Sequence, residues 1–495
     1  MPLVAHCFGS RSNPATRYNL RVITKSKYSL FILVLLPFAI TVSPTPKFSP
    51  ANAVVLTCES NLENGNFPVN QTTLSRLQQA RIAGVDKLWS KGFDGAGQTI
   101  AVLGNSNFKL SDIEAFAACN NITPRLTIKV VGTARPFESV TDNGSGEWLM
   151  DIQTAMSLAP GADIIFYKGK DIFEALEAVG NENIADIVTS SFGTTPSCEA
   201  LDNGGVTYNR FNSLYKKLAQ QGQTMLRGMG DMGTLACAQI GSNPPDNLTP
   251  SIVSGSGSPW VTPLSGLTIS QVDPLIATPW NSTSRGMGGG SGISIFEPRP
   301  AWQNAPGFDP TITNRFSPDF VVQSVGTIFY KDGKWGQVDG VSMAGPLMSG
   351  VLATIAQSCS NGNANYRLGW LNPAIYAMAQ DKLGFTDITT GKNMSFGYGG
   401  FNAKVGHDLA SGLGTIDPKT FPTELCKYIE RTPRNSYLNS AAVVPPTTQP
   451  AAVVPPTTQP AATSSKSKIT CIKGKVTKIV VAVNPKCPLG YKKKQ

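Results

Sequence analysis

The chain has 495 residues, of which 41% are hydrophobic and 15% are charged, and its formal net charge is +10. The excess positive charge lies at the ends: residues 1–53 carry six Lys or Arg, residues 441–495 carry nine Lys, and neither segment has an acid. The part between them holds 32 acidic and 27 basic residues. This mildly acidic body argues against nucleic acid as a partner, and its length suits a large α/β enzyme.

The first 53 residues have the order of a secretory signal peptide. Basic residues precede an apolar run at 28–42 that is interrupted by Pro37. This run is shorter than the ~20 apolar residues of a membrane-spanning helix. Residues 51–53, Ala-Asn-Ala, are a loose match to a cleavage site. We therefore predict a secreted or cell-surface-associated protein, with an uncleaved membrane anchor as the alternative.

The cysteines agree with export from the cell. Cys7 lies in the predicted leader, and none of the cysteines has CxxC spacing, so a zinc site or a redox dithiol is not predicted. The other eight form an even set that allows up to four disulfides. They are Cys58, Cys119, Cys198, Cys237, Cys359, Cys426, Cys471 and Cys487.

Composition divides the chain after the leader into four segments. They are a short N-terminal segment (54–75), a mixed αβ domain (76–430), a Pro/Thr-rich linker (431–468) and a Lys-rich tail (469–495). The linker contains the decapeptide AAVVPPTTQP twice, which predicts an extended, polyproline-like spacer.

The tail alternates Ile or Val with Lys between Cys471 and Cys487. This pattern predicts a disulfide-bounded hairpin, a small basic C-terminal module. Its charge suits an anionic cell-surface polymer as a partner, and a tail that only aids solubility is the alternative. We expect the whole protein to be a monomer.

Short β-branched runs alternate with helical segments along the body, which predicts a parallel β-sheet covered by helices on both faces. The predicted strands are 99–103, 126–131, 162–167, 186–192 and 224–226.

The predicted helix at 146–160 carries two acidic residues, Glu147 and Asp151, four positions apart and roughly opposite its apolar face. Like charges at this spacing repel each other. A solvated helix face is one explanation. The other is a carboxyl pair with one raised pKa, which is a known arrangement for acid/base chemistry.

Residues 226–235, LRGMGDMGTL, contain the spacing GxGxxG after a predicted strand. A dinucleotide site is not predicted, because the stretch that follows is a loop where that fingerprint requires a helix. The residue of interest is Asp231, which lies in a glycine-rich turn where the backbone can approach a substrate closely.

The stretch GVSMAGP at 340–346 resembles a nucleophilic serine at the start of a helix. Pro346 is tolerated only if the helix has just begun, so Ser342 would lie where free N–H groups favour negative charge. A serine that only caps the helix is the alternative. His6 and His407 are the chain's two histidines, so a Ser-His-Asp triad has few candidates.

Taken in order, these motifs resemble the sedolisin family of serine-carboxyl peptidases. The resemblance covers most of residues 80–420 and implies a subtilisin-like parallel sheet with helices on both faces. The stretches that carry it are GQTIAVLG, GEWLMDIQ with LAPGADIIFY, DIVTSSFG, GMGDMG, GSPWVTPLSG, GGGSG with PAWQ, GVSMAGP, and FTDITTGKN with VGHDLASGLG.

The resemblance implies a role for each acidic residue. Ser342 would be the nucleophile, Glu147 its general base, and Asp151 the hydrogen-bonded partner of Glu147. Asp231 would stabilise the oxyanion, which requires it to be protonated. The expected function is hydrolysis of peptide or protein substrates at acid pH, between about pH 3 and 5 from ordinary carboxyl pKa values. A catalytically inactive, sedolisin-like peptide- or surface-binding protein is the alternative.

The resemblance also implies two binding sites. Ser191, Phe192 and Gly193 would offer an edge strand to an extended substrate. A Ca²⁺ ion would take hard oxygen ligands from two loops, with Lys404 standing where the family prefers glycine. The implied ligands are the carboxylates of Asp387 and Asp408 and the carbonyls of Ile388, Lys404 and Gly406.

The subtilisin family shares the architecture and a similar nucleophile turn. It requires a histidine on a helix after the first strands, and this chain has none between positions 7 and 406. That absence favours the sedolisin family. Two departures from the sedolisin pattern are the short segment before the domain and Val341, which replaces the usual threonine.

Overall fold

The computed structural model describes residues 74–138, 146–191, 193–195, 197–240, 245–363, 366–432, 467–473, 476–482, 487 and 492–493. The predicted leader, nearly all of the short N-terminal segment and the decapeptide spacer lie outside the described residues.

Helices and strands alternate through the first half of the domain. The helices are α1 (Arg76–Ala83), α2 (Asp86–Trp89), α3 (Leu110–Cys119), α4 (Gly146–Leu158), α5 (Ile172–Glu182), α6 (Val206–Gln220), α7 (Ala344–Cys359), α8 (Asn372–Gln380) and α9 (Phe421–Arg431). The strands are β1 (Thr99–Gly104), β2 (Leu126–Val130), β3 (Asp163–Lys168), β4 (Ile187–Ser190), β5 (Thr224–Gly228), β6 (Thr262–Gln271), β7 (Ile276–Pro279), β8 (Asn281–Ser282), β9 (Met287–Gly288), β10 (Gly292–Pro298), β11 (Asn314–Ser317), β12 (Phe320–Gln323), β13 (Thr327–Lys331), β14 (Lys334–Val338), β15 (Phe385–Thr386), β16 (Lys392–Ser395), β17 (Tyr398–Asn402), β18 (Thr415–Ile416), β19 (Ser467–Lys473), β20 (Val476–Ala482) and β21 (Lys492–Lys493).

The central sheet has the strand order β12-β6-β5-β4-β1-β3-β2, and all these neighbours pair in parallel. β7 adds to β6 in the antiparallel sense. The predicted parallel sheet is confirmed, although the sequence patterns indicated neither β6 nor β12. One strand prediction is too long, because β4 ends at Ser190 and the chain leaves the sheet at Ser191.

Helices cover both faces of this sheet. Alternate residues of β1 belong to different hydrophobic clusters, with Ile100 and Val102 on one side and Ala101 and Leu103 on the other. The first side packs against α4 and α7, and the second packs against α5 and α6. Burial on both faces explains why β1 is apolar at almost every position.

Helix α7 is the buried centre of the domain, because every residue from Ala344 to Gln357 is buried. It crosses α4 closely at Gly350, where an added Cβ would lie 2.6 Å from the carbonyl oxygen of Ala155 and 2.8 Å from Cβ of Leu158. Within the part of the chain that the structure describes, no helix has both the length and the apolar character needed to span a membrane.

Two disulfides join pairs of cysteines within the part of the domain that the structure describes. Cys198 joins Cys237, and Cys359 at the end of α7 joins Cys426 in α9. Cys119 and Cys487 are also disulfide-bonded. The disulfide bonding that the sequence predicts is therefore present at these six cysteines.

The Lys-rich tail forms a small antiparallel sheet of β19, β20 and β21. Its register places Lys478 and Lys493 opposite Cys471, on either side of the central strand. The predicted hairpin is thus present, with a short third strand that the sequence pattern did not indicate. Binding to an anionic surface polymer stays a prediction.

The α4–α7 crossing predicts a cost for Gly350→Ala. The added methyl group overlaps backbone that cannot move without separating the two helices, so we expect a loss of about 1–3 kcal/mol in the free energy of unfolding, measured by urea denaturation. Gly180→Ala in α5 is the matched control. Its Cβ would meet the flexible side chain of Lys217 at 3.3 Å, so helix propensity should keep or raise stability. Equal stability of the two variants would contradict this account of the crossing.

Candidate active site

Ser342 lies where the chain turns from β14 into α7. The residues Val341–Met343 form a single 3-10 turn, and α7 begins directly after it at Ala344. Pro346 occupies the first turn of α7, where its missing N–H costs nothing, as the sequence predicted. The close fit of this turn to the sheet requires Gly345, since a Cβ there would lie 2.4 Å from Oγ1 of Thr189. Ser342 itself stays partly exposed.

Glu147 approaches the Ser342 hydroxyl from the first turn of α4. The pKa of the Glu147 carboxyl is raised to about 7. Burial is the largest cause, the charge of Asp231 also raises the pKa, and interaction with the Ser342 hydroxyl lowers it. Oε1 of Glu147 is enclosed and accepts no hydrogen bond from a protein group. Glu147 is therefore a carboxyl group that can take a proton from Ser342.

Asp151 lies one turn further along α4 and is completely buried. Burial raises its pKa well above the ordinary value, and the charge of Glu147 adds to this effect. Because each acid raises the cost of ionising the other, the two carboxyl groups titrate as a coupled pair. The surface-exposed alternative for these two residues is wrong, because the helix face that carries them is turned inward.

Asp231 lies in the turn after β5 and contacts the nucleophile turn at Val341. Its Oδ1 accepts the N–H of Val341 at 2.8 Å, and its Oδ2 faces Gly340, where a Cβ would lie at 3.2 Å. The pKa of Asp231 is raised to about 6, because the effect of burial exceeds the lowering by the hydrogen bond from the Val341 N–H. The four predicted residues Glu147, Asp151, Asp231 and Ser342 are therefore linked by these contacts and charge interactions into one site.

A ladder of backbone hydrogen bonds holds the Asp231 turn against the glycine-rich loop 286–292. Gly288 N–H donates to the Asp231 carbonyl at 2.8 Å, and Gly233 N–H donates back to the Gly288 carbonyl at 2.9 Å. Gly290 lies so close that a Cβ would meet the Met229 carbonyl oxygen at 1.9 Å. The absence of a side chain at Gly290 is what allows the two backbones to approach so closely.

Asn393 of β16 anchors the same glycine-rich loop. Its buried Nδ2 donates to the carbonyl of Gly289 at 2.7 Å and to Oγ of Ser291 at 2.6 Å, while its Oδ1 accepts the N–H of Phe401. The role of Asn393 was not predictable from the sequence, because the loop that it anchors lies more than a hundred positions earlier in the chain. The motif GMGGGSG was the available sign that a loop here must accept close backbone contact.

The predicted substrate segment begins at Ser191, just past the end of β4. β4 is an internal strand, paired with β1 on one side and β5 on the other, so the edge that the prediction needs is absent within β4 itself. Gly193 is exposed with open space around it. Phe192 lies outside the described residues, and substrate binding by this segment stays a prediction.

The predicted calcium ligands gather around one turn. Asp408 Oδ2 accepts the N–H of Lys404 at 2.9 Å, and Asp387 Oδ2 accepts the N–H of Gly406 at 2.7 Å. Gly406 has φ of 76°, the left-handed conformation that suits glycine, while Lys404 needs no such conformation here. Ile388 follows Asp387 and is buried. Two carboxylates that contact one turn, Asp387 from another loop and Asp408 from the turn's own loop, fit the oxygen chemistry of Ca²⁺.

Side chains alone do not complete such a metal site. Among the residues that the structure describes, no group of three or more His, Cys, Asp or Glu side chains is placed to hold an ion. A Ca²⁺ ion here would therefore depend on backbone carbonyls besides Asp387 and Asp408. His407 next to them is buried against Phe316, with ring centroids 4.3 Å apart, and burial lowers its pKa to about 3.

Two curated proteins show what this chain is similar to in sequence. The chain is 27% identical over 339 residues to sedolisin of Pseudomonas sp. (strain 101), which covers 64% of this chain and 56% of that protein. It is 27% identical over 362 residues to physarolisin of Physarum polycephalum, which covers 63% of this chain and 61% of that protein. No family model matches the sequence.

A solved structure shows the same fold. Pseudomonas sedolisin, a serine-carboxyl proteinase complexed with two molecules of pseudo-iodotyrostatin, superposes with a TM-score of 0.59 at 24% identity, covering 71% of this chain and 97% of that chain. The fold is thus the subtilisin-like α/β class. In sequence and in fold, the chain is thus similar to the sedolisin family. The chain spans less than two thirds of the length of the two curated relatives described here.

The raised pKa of Asp231 predicts how stability varies with pH. A carboxyl whose folded pKa, about 6, exceeds its unfolded value of about 3.9 stabilises the fold below pH 4 and loses that contribution as pH rises through 6. We expect Asp231→Asn to remove a decline of about 3 kcal/mol in the free energy of unfolding between pH 4 and 7. Asp381→Asn, which removes an exposed partner of Arg431, is the control. Parallel stability curves for wild type and Asp231→Asn would contradict the burial of this acid.

Proposed function

We propose that the protein is a serine-carboxyl peptidase that hydrolyses peptide bonds by acyl transfer through Ser342. The observation that carries this proposal is the placement of two acidic groups at one serine turn: Glu147 at its hydroxyl and Asp231 at the Val341 N–H. A serine that only capped α7 would have no need of three buried carboxyl groups, which each cost stability when ionised.

Each carboxyl group has one task in the proposed reaction. Glu147 takes the proton from the Ser342 hydroxyl as Oγ bonds to the scissile carbonyl carbon. Protonated Asp231 donates a hydrogen bond to the oxyanion that forms. Glu147 then gives its proton to the leaving amine as the C–N bond breaks, which leaves an acyl-enzyme. Water attacks the ester carbonyl carbon as Glu147 takes its proton. The bond from that carbon to Ser342 Oγ then breaks, Glu147 returns the proton to Oγ, and the carboxylic acid product departs.

The active form needs the Glu147–Asp151 pair to carry one proton and Asp231 to carry another. Asp231 keeps its proton only below its pKa of about 6, so activity should fall as pH rises past that value. Loss of the pair's negative charge sets the acid limb, and the limbs report coupled groups rather than single residues. Because the pKa of Glu147 is raised as well, both limbs lie at higher pH than ordinary carboxyl pKa values suggest.

Substitutions at the site should separate these tasks. We expect Ser342→Ala and Glu147→Gln to lower kcat by at least ~10⁴-fold, measured on a peptide library across pH 3 to 8. Asp231→Asn keeps a neutral donor, so a loss of ~10²- to 10³-fold with a weaker alkaline limb is expected. Glu177→Gln, which removes an exposed partner of Arg210, should match the wild type.

The alternative is an inactive, sedolisin-like protein that binds peptides or surfaces. A peptide aldehyde that forms a hemiacetal at Ser342, located by mass spectrometry, distinguishes the two. Full activity at pH 8, or turnover unchanged in Glu147→Gln, would refute the serine-carboxyl mechanism. Peptide binding without any labelling of Ser342 would favour the inactive protein.

We also propose that Ca²⁺ binds at the turn between Asp387 and Asp408, where it would neutralise two carboxylates and hold the loop closed. A ligand at 100 times its Kd adds ~2.7 kcal/mol to stability. A chelator should therefore lower Tm at pH 7, and added Ca²⁺ should restore it. Asp387→Asn should abolish this response while the control Asp381→Asn keeps it. A Tm that the chelator leaves unchanged in the wild type would contradict the site.

Secretion and a surface role for the tail extend the proposal. The leader-like order of residues 1–53 supports export, and the three disulfide-bonded regions around Cys119, Cys198 and Cys359 support an oxidising compartment. Nine Lys without an acid in residues 441–495 support attraction to an anionic polymer, which salt would weaken.

A further inference from the structure

Ser191 makes two contacts that neither its sequence motif nor its predicted role in substrate binding explains. Its Oγ lies 3.1 Å from Oδ1 of Asp151 and 2.7 Å from the carbonyl oxygen of Ser342. It is the first residue after β4, so its backbone is held by the sheet on one side. The hydroxyl therefore bridges the buried acid of α4 and the backbone of the nucleophile turn.

A serine hydroxyl has one proton, so it cannot donate to both acceptors at once. The Ser342 carbonyl oxygen can only accept a hydrogen bond, whereas Asp151 accepts when ionised and can donate when protonated. When Asp151 holds the shared proton, the Ser191 proton is free for the carbonyl. When Asp151 is ionised, the same proton can turn towards the carboxylate.

We propose that Ser191 is a positioning residue that ties the Glu147–Asp151 pair to the backbone of the nucleophile turn and supplies a hydrogen bond to the ionised form of the pair. The proposal rests on the proposed peptidase function for its effect on turnover. Its effect on the acids themselves does not require turnover.

The surroundings of the pair make this hydrogen bond important. The hydrogen bond from Ser191 lowers the pKa of Asp151, against burial and the charge of Glu147, which both raise it. From the turn after β5, the charge of Asp231 acts on Glu147 in the same unfavourable sense. A cation on a packed element, Lys331 of β13, has its side chain beside Gly146 at the start of α4.

The first test compares pH profiles. Ser191→Ala leaves the backbone of residue 191 in place, so KM should stay near the wild-type value while kcat falls. The acid limb of kcat/KM should move up by about one pH unit, because the ionised pair loses a donor, and the alkaline limb set by Asp231 should not move. Ser191→Thr keeps the hydroxyl and should restore the acid limb.

A matched control removes a similar hydrogen bond on α7, the helix that follows the nucleophile turn. Oγ of buried Ser349 in α7 donates to the carbonyl of Pro346 at 2.7 Å, and no carboxyl group takes part in that bond. Ser349→Ala should leave both limbs in place. Equal shifts in Ser349→Ala and Ser191→Ala, or an acid limb that Ser191→Thr fails to restore, would reduce Ser191 to a packing residue and overturn the proposal.

The second test works without turnover. Infrared difference spectra of the full chain carrying Ser342→Ala report protonation of the buried acids, and Asp151→Asn identifies the Asp151 signal. Adding Ser191→Ala should raise the midpoint of that signal by about one pH unit. An unchanged midpoint would overturn the proposal for Ser191. If the midpoint rises but the protein with Ser342 intact hydrolyses no peptide, the proposal for Ser191 is upheld and the proposed function is refuted.

Discussion

The placement of three carboxyl groups around one serine, with Asp151 buried and Glu147 and Asp231 half-buried, is the constraint on which the rest of the structure depends. Each acid loses hydration at the junction of α4, α7 and the turn after β5, and burial is the largest cause of the raised pKa at all three. Such groups stay in place only if neighbouring dipoles are fixed accurately. The fold supplies these dipoles as the Val341 N–H, the Ser191 hydroxyl and the paired backbone of two glycine-rich loops.

Small residues make this arrangement sterically feasible. Gly345 lets the nucleophile turn touch Thr189, Gly350 lets α7 touch α4, and Gly290 lets its loop lie on the Asp231 turn. At each position the limiting contact is with backbone or with a buried side chain. The cost is conformational entropy, because glycine loses more freedom on folding than other residues. The buried helix pair and the parallel sheet compensate through their apolar contacts.

The sequence made some of this site predictable. Glu147 and Asp151 share a helix side because their spacing is local, and Pro346 fixed the start of α7 near Ser342. The assignment of Asp231 depended on the resemblance to sedolisins, since a glycine-rich turn alone has several uses. Residues linked only through tertiary contacts were missed: Asn393 acts on a loop about a hundred residues before it, and the role of the Ser191 hydroxyl depends on where α4 and α7 meet.

Strand assignment failed for a related reason. β6 begins at Thr262 with Pro263 and Gly266 inside it, so its pattern lacks the continuous β-branched run that marked β1 and β3. Its place between β5 and β12 is secured by neighbours that are distant in sequence. The predicted extension of β4 to residue 192 followed the run of apolar and small residues. The strand ends at Ser190, and the next hydroxyl, that of Ser191, bonds to Asp151 and to the Ser342 carbonyl.

The disulfide between α7 and α9 has a consequence for how the domain is tethered. Ser342 precedes α7, whose sixteen residues from Ala344 to Cys359 span about 24 Å. Cys359 at the far end is bonded to Cys426, only a few residues before the last described turn of α9. The covalent cross-link thus fixes the exit of the C-terminal linker well away from the nucleophile. A pull applied at the end of α9 would enter α7 through the disulfide at Cys359. It would reach the nucleophile turn only after the whole length of that helix.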